Sequence, residues 1–259
     1  MRNAADGLWF AGVDGCRTGW VAAFAPAVGD DVRVRIVARF ADVLAAPEAP
    51  SVVAVDIPIG LPERAGPGGR AAENAVRPLL GARQSSVFSV PSRAALAAED
   101  YADACRIAFA SSEPPRKVSK QLFMLAPKIR ELDACLRDAA AAATRVFEVH
   151  PEVAFWRLNG EHALPEPKKV KGRCYEPGLV LRRSLLVAAG VAEEAVNGAP
   201  PKGAGADDLL DALACLAIAR RIHAGLARRN NRAAHAQIAI GRPNASRAGG
   251  SGNGRARPA

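Results

Sequence analysis

Trp9-Phe10-Ala11-Gly12-Val13-Asp14-Gly15-Cys16-Arg17-Thr18-Gly19-Trp20 is the stretch on which the fold turns. An apolar run from Trp9 to Val13 stops on a carboxylate. A second run, Gly19 to Ala25, follows the turn-like Gly15-Cys16-Arg17-Thr18. Two short apolar runs joined by a tight turn predict two neighbouring strands. In the next segment Val32, Val34 and Ile36 alternate with Arg33 and Arg35, the pattern of a half-exposed third strand between Val32 and Phe40. Phe40 to Ala46 suits a short helix. Val52-Val53-Ala54-Val55 is then an unbroken β-branched run, as in a strand covered on both faces, and it too stops on a carboxylate, Asp56. Pro58 and Pro62 end it.

Further along, residues 58–143 carry mainly helical patterns and loops. Residues 60–69 are rich in glycine and proline, and Ala71 to Leu80 has helical spacing with Pro78 near its end. Ser92 is placed to cap a helix reaching about Ala110. The alanine-rich Ser119 to Ala143 predicts a long helix interrupted at Pro127. Strand character returns from Thr144 to Val149, and Pro151 to Lys171 is loop-rich. Leu179 to Ala189 is a helix ended by Gly190. Asp207 to Ala227 has an acidic start and a basic end, the polarity a helix dipole favours. The pattern predicts an α/β layer arrangement with one mixed sheet in a domain over residues 1–227, including a mostly helical insertion at 58–143. The Arg/Asn/Gly-rich segment 228–259 reads as a basic disordered tail.

Composition narrows the function classes. With 259 residues, 49% of them hydrophobic, the chain can build a substantial core. The net charge of +9 is concentrated at the end, since residues 228–259 hold seven arginines and no acid, which leaves +2 for the rest. The charge of the body by itself therefore gives only weak support for a polyanion partner. The sequence contains neither an apolar run of about 18 residues nor a basic-then-apolar leader. The five cysteines are scattered, and none forms a C-x-x-C pair. The expectation is a cytoplasmic protein with reduced thiols and no membrane partner.

The acids carry the chemistry. A carboxylate at the end of a buried element is costly unless it is paired, hydrogen-bonded or metal-bound. Asp14 and Asp56 close two apolar strands, and on adjacent parallel strands they would lie about 5 Å apart. Asp208 and Asp211 are three apart on one helix and share a face, with Asp207 as a competitor. Capping of the first turn explains one of these aspartates but not Asp211, a turn further in. Glu148 follows Val146-Phe147 and is a further candidate, although a strand-end glutamate is as often a salt-bridge partner. Within Glu148-Val149-His150-Pro151-Glu152, any of the three polar side chains can ligate or move a proton. Several such acids in one site call for a hard divalent cation.

The motifs in combination resemble a known family. Gly12-Val13-Asp14-Gly15-Cys16 with Gly19-Trp20, Asp56-Ile57-Pro58-Ile59-Gly60-Leu61-Pro62, Arg83-Gln84-Ser85-Ser86-Val87-Phe88, Pro127-Lys128-Ile129, Glu148-Val149-His150-Pro151-Glu152 and Asp207-Asp208-Leu209-Leu210-Asp211-Ala212-Leu213-Ala214 are similar, in order, to a bacterial and archaeal family of unknown function described as predicted RNase H-like nucleases. The resemblance spans about residues 9–227. The last motif also resembles the closing helix of the RuvC Holliday-junction resolvases, Asp-x-x-Asp-Ala-Leu-Ala. The resemblance implies an RNase H-like mixed five-stranded sheet flanked by helices, with the helical insertion after the fourth strand. It implies a metal site of Asp14, Asp56, Asp208 and Asp211, catalysis by these with Glu148, Mg²⁺ or Mn²⁺ as cofactor, and DNA or RNA as substrate. Glu148 falls outside the four-acid pattern of the resolvases. The implied chemistry is phosphodiester hydrolysis with two ions about 3.5–4 Å apart.

Substrate contacts are expected from Arg83, Ser85 and Ser86 to phosphate oxygens, and from Lys128. Lys168 and Lys169, with Lys171 and Arg173, form a basic loop that can track a backbone. The plainer readings are a capped loop, a solvated lysine and a charged surface. Two functional alternatives remain: a nucleotide-binding phosphotransferase of the actin or sugar-kinase type, which also begins with a Gly-x-Asp-Gly strand, and a non-catalytic nucleic-acid-binding protein.

Overall fold

The computed structural model describes residues 7–139, 143–230 and 238–241. β1 (Trp9–Cys16), β2 (Gly19–Pro26) and β3 (Arg33–Val37) form an antiparallel meander. α1 (Phe40–Leu44) leads to β4 (Val52–Val55), which lies parallel to β1, and β5 (Val146–Glu148) lies parallel to β4. The order β3-β2-β1-β4-β5 is the expected mixed arrangement of five strands. Between β4 and β5 come α2 (Ala71–Val76), 3-10 turns over Arg77–Ser86, α3 (Arg93–Ala97), α4 (Tyr101–Ala110) and α5 (Lys120–Asp138). After β5 follow α6 (Pro151–Leu158), a short hairpin of β6 (Lys169–Val170) with β7 (Arg173–Cys174), α7 (Glu176–Ala188), α8 (Glu193–Asn197) and α9 (Ala206–His223).

Four local expectations change, the first being that the stretch read as loop-rich from Pro151 opens with α6, whose residues Pro151 to Arg157 are all buried. The single helix expected from Ser92 to Ala110 is two helices: Ser92 caps α3 by accepting from the Ala95 amide at 3.3 Å, and Asp100 starts α4 by accepting from the Asp103 amide at 2.8 Å. Pro127 does not interrupt α5, because the buried face of Leu122, Ala126, Ile129 and Leu132 holds the helix across the missing amide bond. The basic tail is not wholly irregular, since β8 (Ala227–Asn230) and β9 (Ile238–Gly241) form a hairpin whose β9 runs parallel to β5, widening the sheet to seven strands. Residues 231–237 and 242–259, with Arg232, Arg242, Arg247, Arg255 and Arg257, lie outside the described residues.

Alternation along the strands sorts the core into two layers. Phe10, Val21, Ala23, Val52, Ala54 and Phe147 pack with α9 and its neighbours. Ala11, Val13, Trp20, Ala22, Val53, Val55 and Val146 pack beneath α1 and the insertion helices α3, α4 and α5. In α9 every residue from Leu209 to Ala219 is buried, as in a helix enclosed on all sides. Gly12 permits its close approach: a Cβ there would lie 2.1 Å from the Ala212 carbonyl and the Leu216 amide.

Candidate functional site

Strand alternation aims the acids. Gly12 and Ala54 are register partners facing α9, so Asp14 and the residue after β4, Asp56, follow them two positions on, on the same side. The Asp56 amide donates to the Val13 carbonyl at 3.0 Å, which fixes this alignment past the end of β4. α9 then brings Asp211 to the end of the parallel strands. A cleft of about 310 Å³ is lined there by Asp14, Asp56, His150, Lys168, Asp208 and Asp211, among others.

The electrostatics are those of crowded, desolvated carboxylates. Burial raises the Asp14 pKa well above the usual carboxylate range, and Asp56 and then Asp211 push it further. Burial takes Asp56 up to about 6, with Asp211 adding and His150 and Lys168 opposing. Asp211 is raised by burial against the opposing pull of Lys168. Asp208 is raised by burial, although one of its oxygens accepts from the Gly205 amide at 2.8 Å and so caps α9. Asp207 behaves differently: burial would raise it, but Lys169 at 2.5 Å outweighs burial and holds it low.

Lys168 brings positive charge against these acids, its ammonium pairing with Asp211. Burial works to lower its pKa, but Asp211, Asp14 and Asp56 outweigh burial and hold it above the usual lysine value. Among the described residues, no three His, Cys, Asp or Glu side chains form a ready-made metal cage. The donor set, all hard carboxylate oxygen with an excess of negative charge, nevertheless suits Mg²⁺ or Mn²⁺.

A model of the protein family of unknown function DUF429 matches residues 12–235. The chain belongs to the DUF429 family. No curated protein and no solved structure matches it.

Within this DUF429 domain the expected site residues separate into those that meet and those that do not. Asp14, Asp56, Asp208, Asp211, Lys168, Lys169, Ser85 and Ser86 all line the cleft. Glu148 also borders it, but its carboxylate is fully engaged. Arg70 donates to its two oxygens at 2.6 and 3.0 Å, and the Ile59 amide donates at 2.8 Å. Its strand position explains this, because Phe147 faces α9 and Glu148 therefore faces the insertion. Glu148 thus holds the loop after Asp56, and from there its charge adds to the upward push on the Asp56 pKa. Lys128 likewise serves structure: its ammonium donates to the Gly19 carbonyl at 2.5 Å and sits 4.7 Å from the Trp20 ring centre. Arg83 reaches the Pro165 carbonyl at 3.3 Å and does not line the cleft. Lys168 and Lys169, expected to contact substrate, are instead paired with Asp211 and Asp207.

One feature escaped the residue-by-residue reading of the sequence, and a second was only half read. Arg70, buried and paired with Glu73 at 2.7 Å as well as with Glu148, gave no local signal in its glycine-rich loop. His150 lines the cleft with a buried, unbonded Nδ1, while its Nε2 lies 3.2 Å from the Ser86 carbonyl. Its place between Glu148 and Glu152 marked it as one of three candidates, without deciding among them.

Proposed function

We propose that the protein is a divalent-metal-dependent nuclease that hydrolyses phosphodiester bonds of DNA or RNA. One observation carries the reading: three carboxylates from separate elements, Asp14 near the end of β1, Asp56 just after β4 and Asp211 on α9, crowd into one desolvated cleft, where Asp56 and Asp211 raise the proton affinity of Asp14 and Asp211 raises that of Asp56. Such a cluster demands cations.

Asp14, Asp56 and Asp211 would hold Mg²⁺ or Mn²⁺, with the free oxygen of Asp208 at the edge. Bound there, the ions would activate water and neutralise phosphoryl oxygens. The chain's own groups do the rest. His150, with its unbonded Nδ1, can take or give a proton inside the cleft. The Ser85 hydroxyl can orient a phosphate oxygen at the rim. The Arg70–Glu148 pair holds the Ile59 amide, and so the backbone that carries Asp56, in one place.

A non-catalytic nucleic-acid-binding role is favoured by one feature, the lysine already paired with Asp211. Labelled single-stranded, duplex, junction and RNA–DNA hybrid substrates, incubated with and without Mn²⁺ or Mg²⁺, separate the two. The nuclease reading expects cleavage that requires the metal and falls at least about 100-fold in Asp14→Asn and Asp211→Asn. Binding without cleavage of any substrate overturns it.

A further inference from the structure

The β6–β7 hairpin is fastened at its root and exposed along its length. At the root, the fully buried Arg182 donates to the Glu166 carbonyl at 3.1 Å. Gly178 of α7 lies so close that a Cβ would sit 1.8 Å from the Pro167 carbonyl. The Tyr175 amide closes the hairpin on the Lys168 carbonyl at 2.9 Å. Residues 169–174, by contrast, are all exposed. Polar contacts to α9 hold this segment down: Lys169 to Asp207 at 2.5 Å, Cys174 Sγ to Asp207 at 3.5 Å, and its neighbour Lys168 to Asp211. A fixed backbone at position 168 and a long flexible side chain give the ammonium two options, the cleft floor or the solvent at its mouth.

We propose that Lys168 is the resident counter-ion of the acidic cleft, seated where a divalent cation would bind, and that cation entry displaces it and lifts the hairpin. This rests on the reading of the cleft as a metal centre. Charge gives the reason. One ammonium, paired with Asp211, supplies a single positive charge to a cleft into which Asp14, Asp56 and Asp211 all project. A divalent ion supplies twice that charge at the same point and repels the ammonium. Once displaced, Lys168 and its neighbour Lys169 stand at the mouth of the cleft, where a phosphate backbone would pass, so metal loading and substrate contact become linked through one short segment.

Calorimetric titration of the full chain with Mn²⁺ at pH 8 tests this, comparing wild type with Lys168→Met. The expected result is about tenfold tighter Mn²⁺ binding in the variant, within the usual range of such couplings. Equal or weaker binding in the variant, with the wild type binding normally, overturns the proposal and leaves the metal centre standing. Mn²⁺ binding by neither protein overturns both. Hydrogen exchange of the amides of residues 169–174 in the wild type provides a measurement that needs no variant. Mn²⁺ is expected to speed that exchange, and unchanged or slower exchange in Mn²⁺ overturns the displacement.

Discussion

Asp56 is the residue at which stability and function oppose each other most openly. Its pKa in the folded chain is about 6, against an ordinary 3.8. Below about pH 4 it is protonated in both the folded and unfolded states and contributes nothing. Between about pH 4 and 6 the folded chain keeps the proton and the unfolded chain loses it, so stability falls as pH rises. Above about pH 6 the full penalty applies. Asp56→Asn removes it. In the absence of metal the variant is expected to be more stable than wild type at pH 8 by about 1–2 kcal/mol, less than the roughly 3 that two pKa units imply because the side chain is partly exposed. The advantage should vanish by about pH 4, which urea unfolding at a series of pH values measures. Asp14, Asp56 and Asp211 were legible in the sequence because each is an acid where an apolar element should have continued or turned. The contacts of Lys128 were not legible for a physical reason: its partners, the Gly19 carbonyl and the Trp20 ring, lie more than a hundred residues away in the chain, and nothing in Pro127-Lys128-Ile129 records them.

At the scale of elements, two contacts set the cleft. The first is α9 on β1. A methyl at Gly12 would meet the backbone of α9 at 2.1 Å, where no side chain can rotate away. Overpacking against flexible groups costs about 1–3 kcal/mol. Gly12→Ala is expected to reach or exceed the top of that range by urea unfolding and, by shifting the helix that carries Asp211, to abolish Mn²⁺ binding in whatever fraction still folds. The second contact is the end of β5 on the insertion. Glu148 was grouped with the acids because it ends an apolar run, yet the alternation of Val146 and Phe147 already assigned it to the other face of the sheet. Its true partner, Arg70, stands in a loop with no periodicity to read. Glu148→Gln leaves the Arg70 guanidinium with Glu73 alone in a buried setting. The expected cost is about 2–4 kcal/mol, near the lower end for broken buried pairs because one carboxylate remains. Calorimetry should show Mn²⁺ affinity falling less than in Asp14→Asn, a difference that separates a positioning residue from a ligand.

For the molecule as a whole, the meander, the parallel strands and the enclosing helices followed from alternation and burial, which are local properties. The β8–β9 hairpin did not, because its place beside β5 is a backbone pairing with a strand some ninety residues earlier, and an Arg- and Asn-rich composition pointed the other way. No helix among the described residues is long and apolar enough to cross a membrane. The thermal stability of the whole domain should report on the cleft directly, since its acids are drawn from both ends of the chain and unfolding releases them together. If Mn²⁺ binds only the folded state, a concentration a hundred times its dissociation constant adds about 2.7 kcal/mol. For a domain of this size that corresponds to a rise in Tm of roughly 5–10 °C. Protons and metal compete for the same oxygens. At pH 8 Asp56 is ionised and the full shift is expected, whereas at pH 5, below its folded value of about 6, the carboxylate is mostly protonated and the same Mn²⁺ concentration should raise Tm much less. Scanning calorimetry at both pH values, with Asp14→Asn as the control that should lose the shift at each, measures this. A metal-induced rise equal at pH 5 and pH 8, and undiminished in Asp14→Asn, would place the cation somewhere other than among these carboxylates.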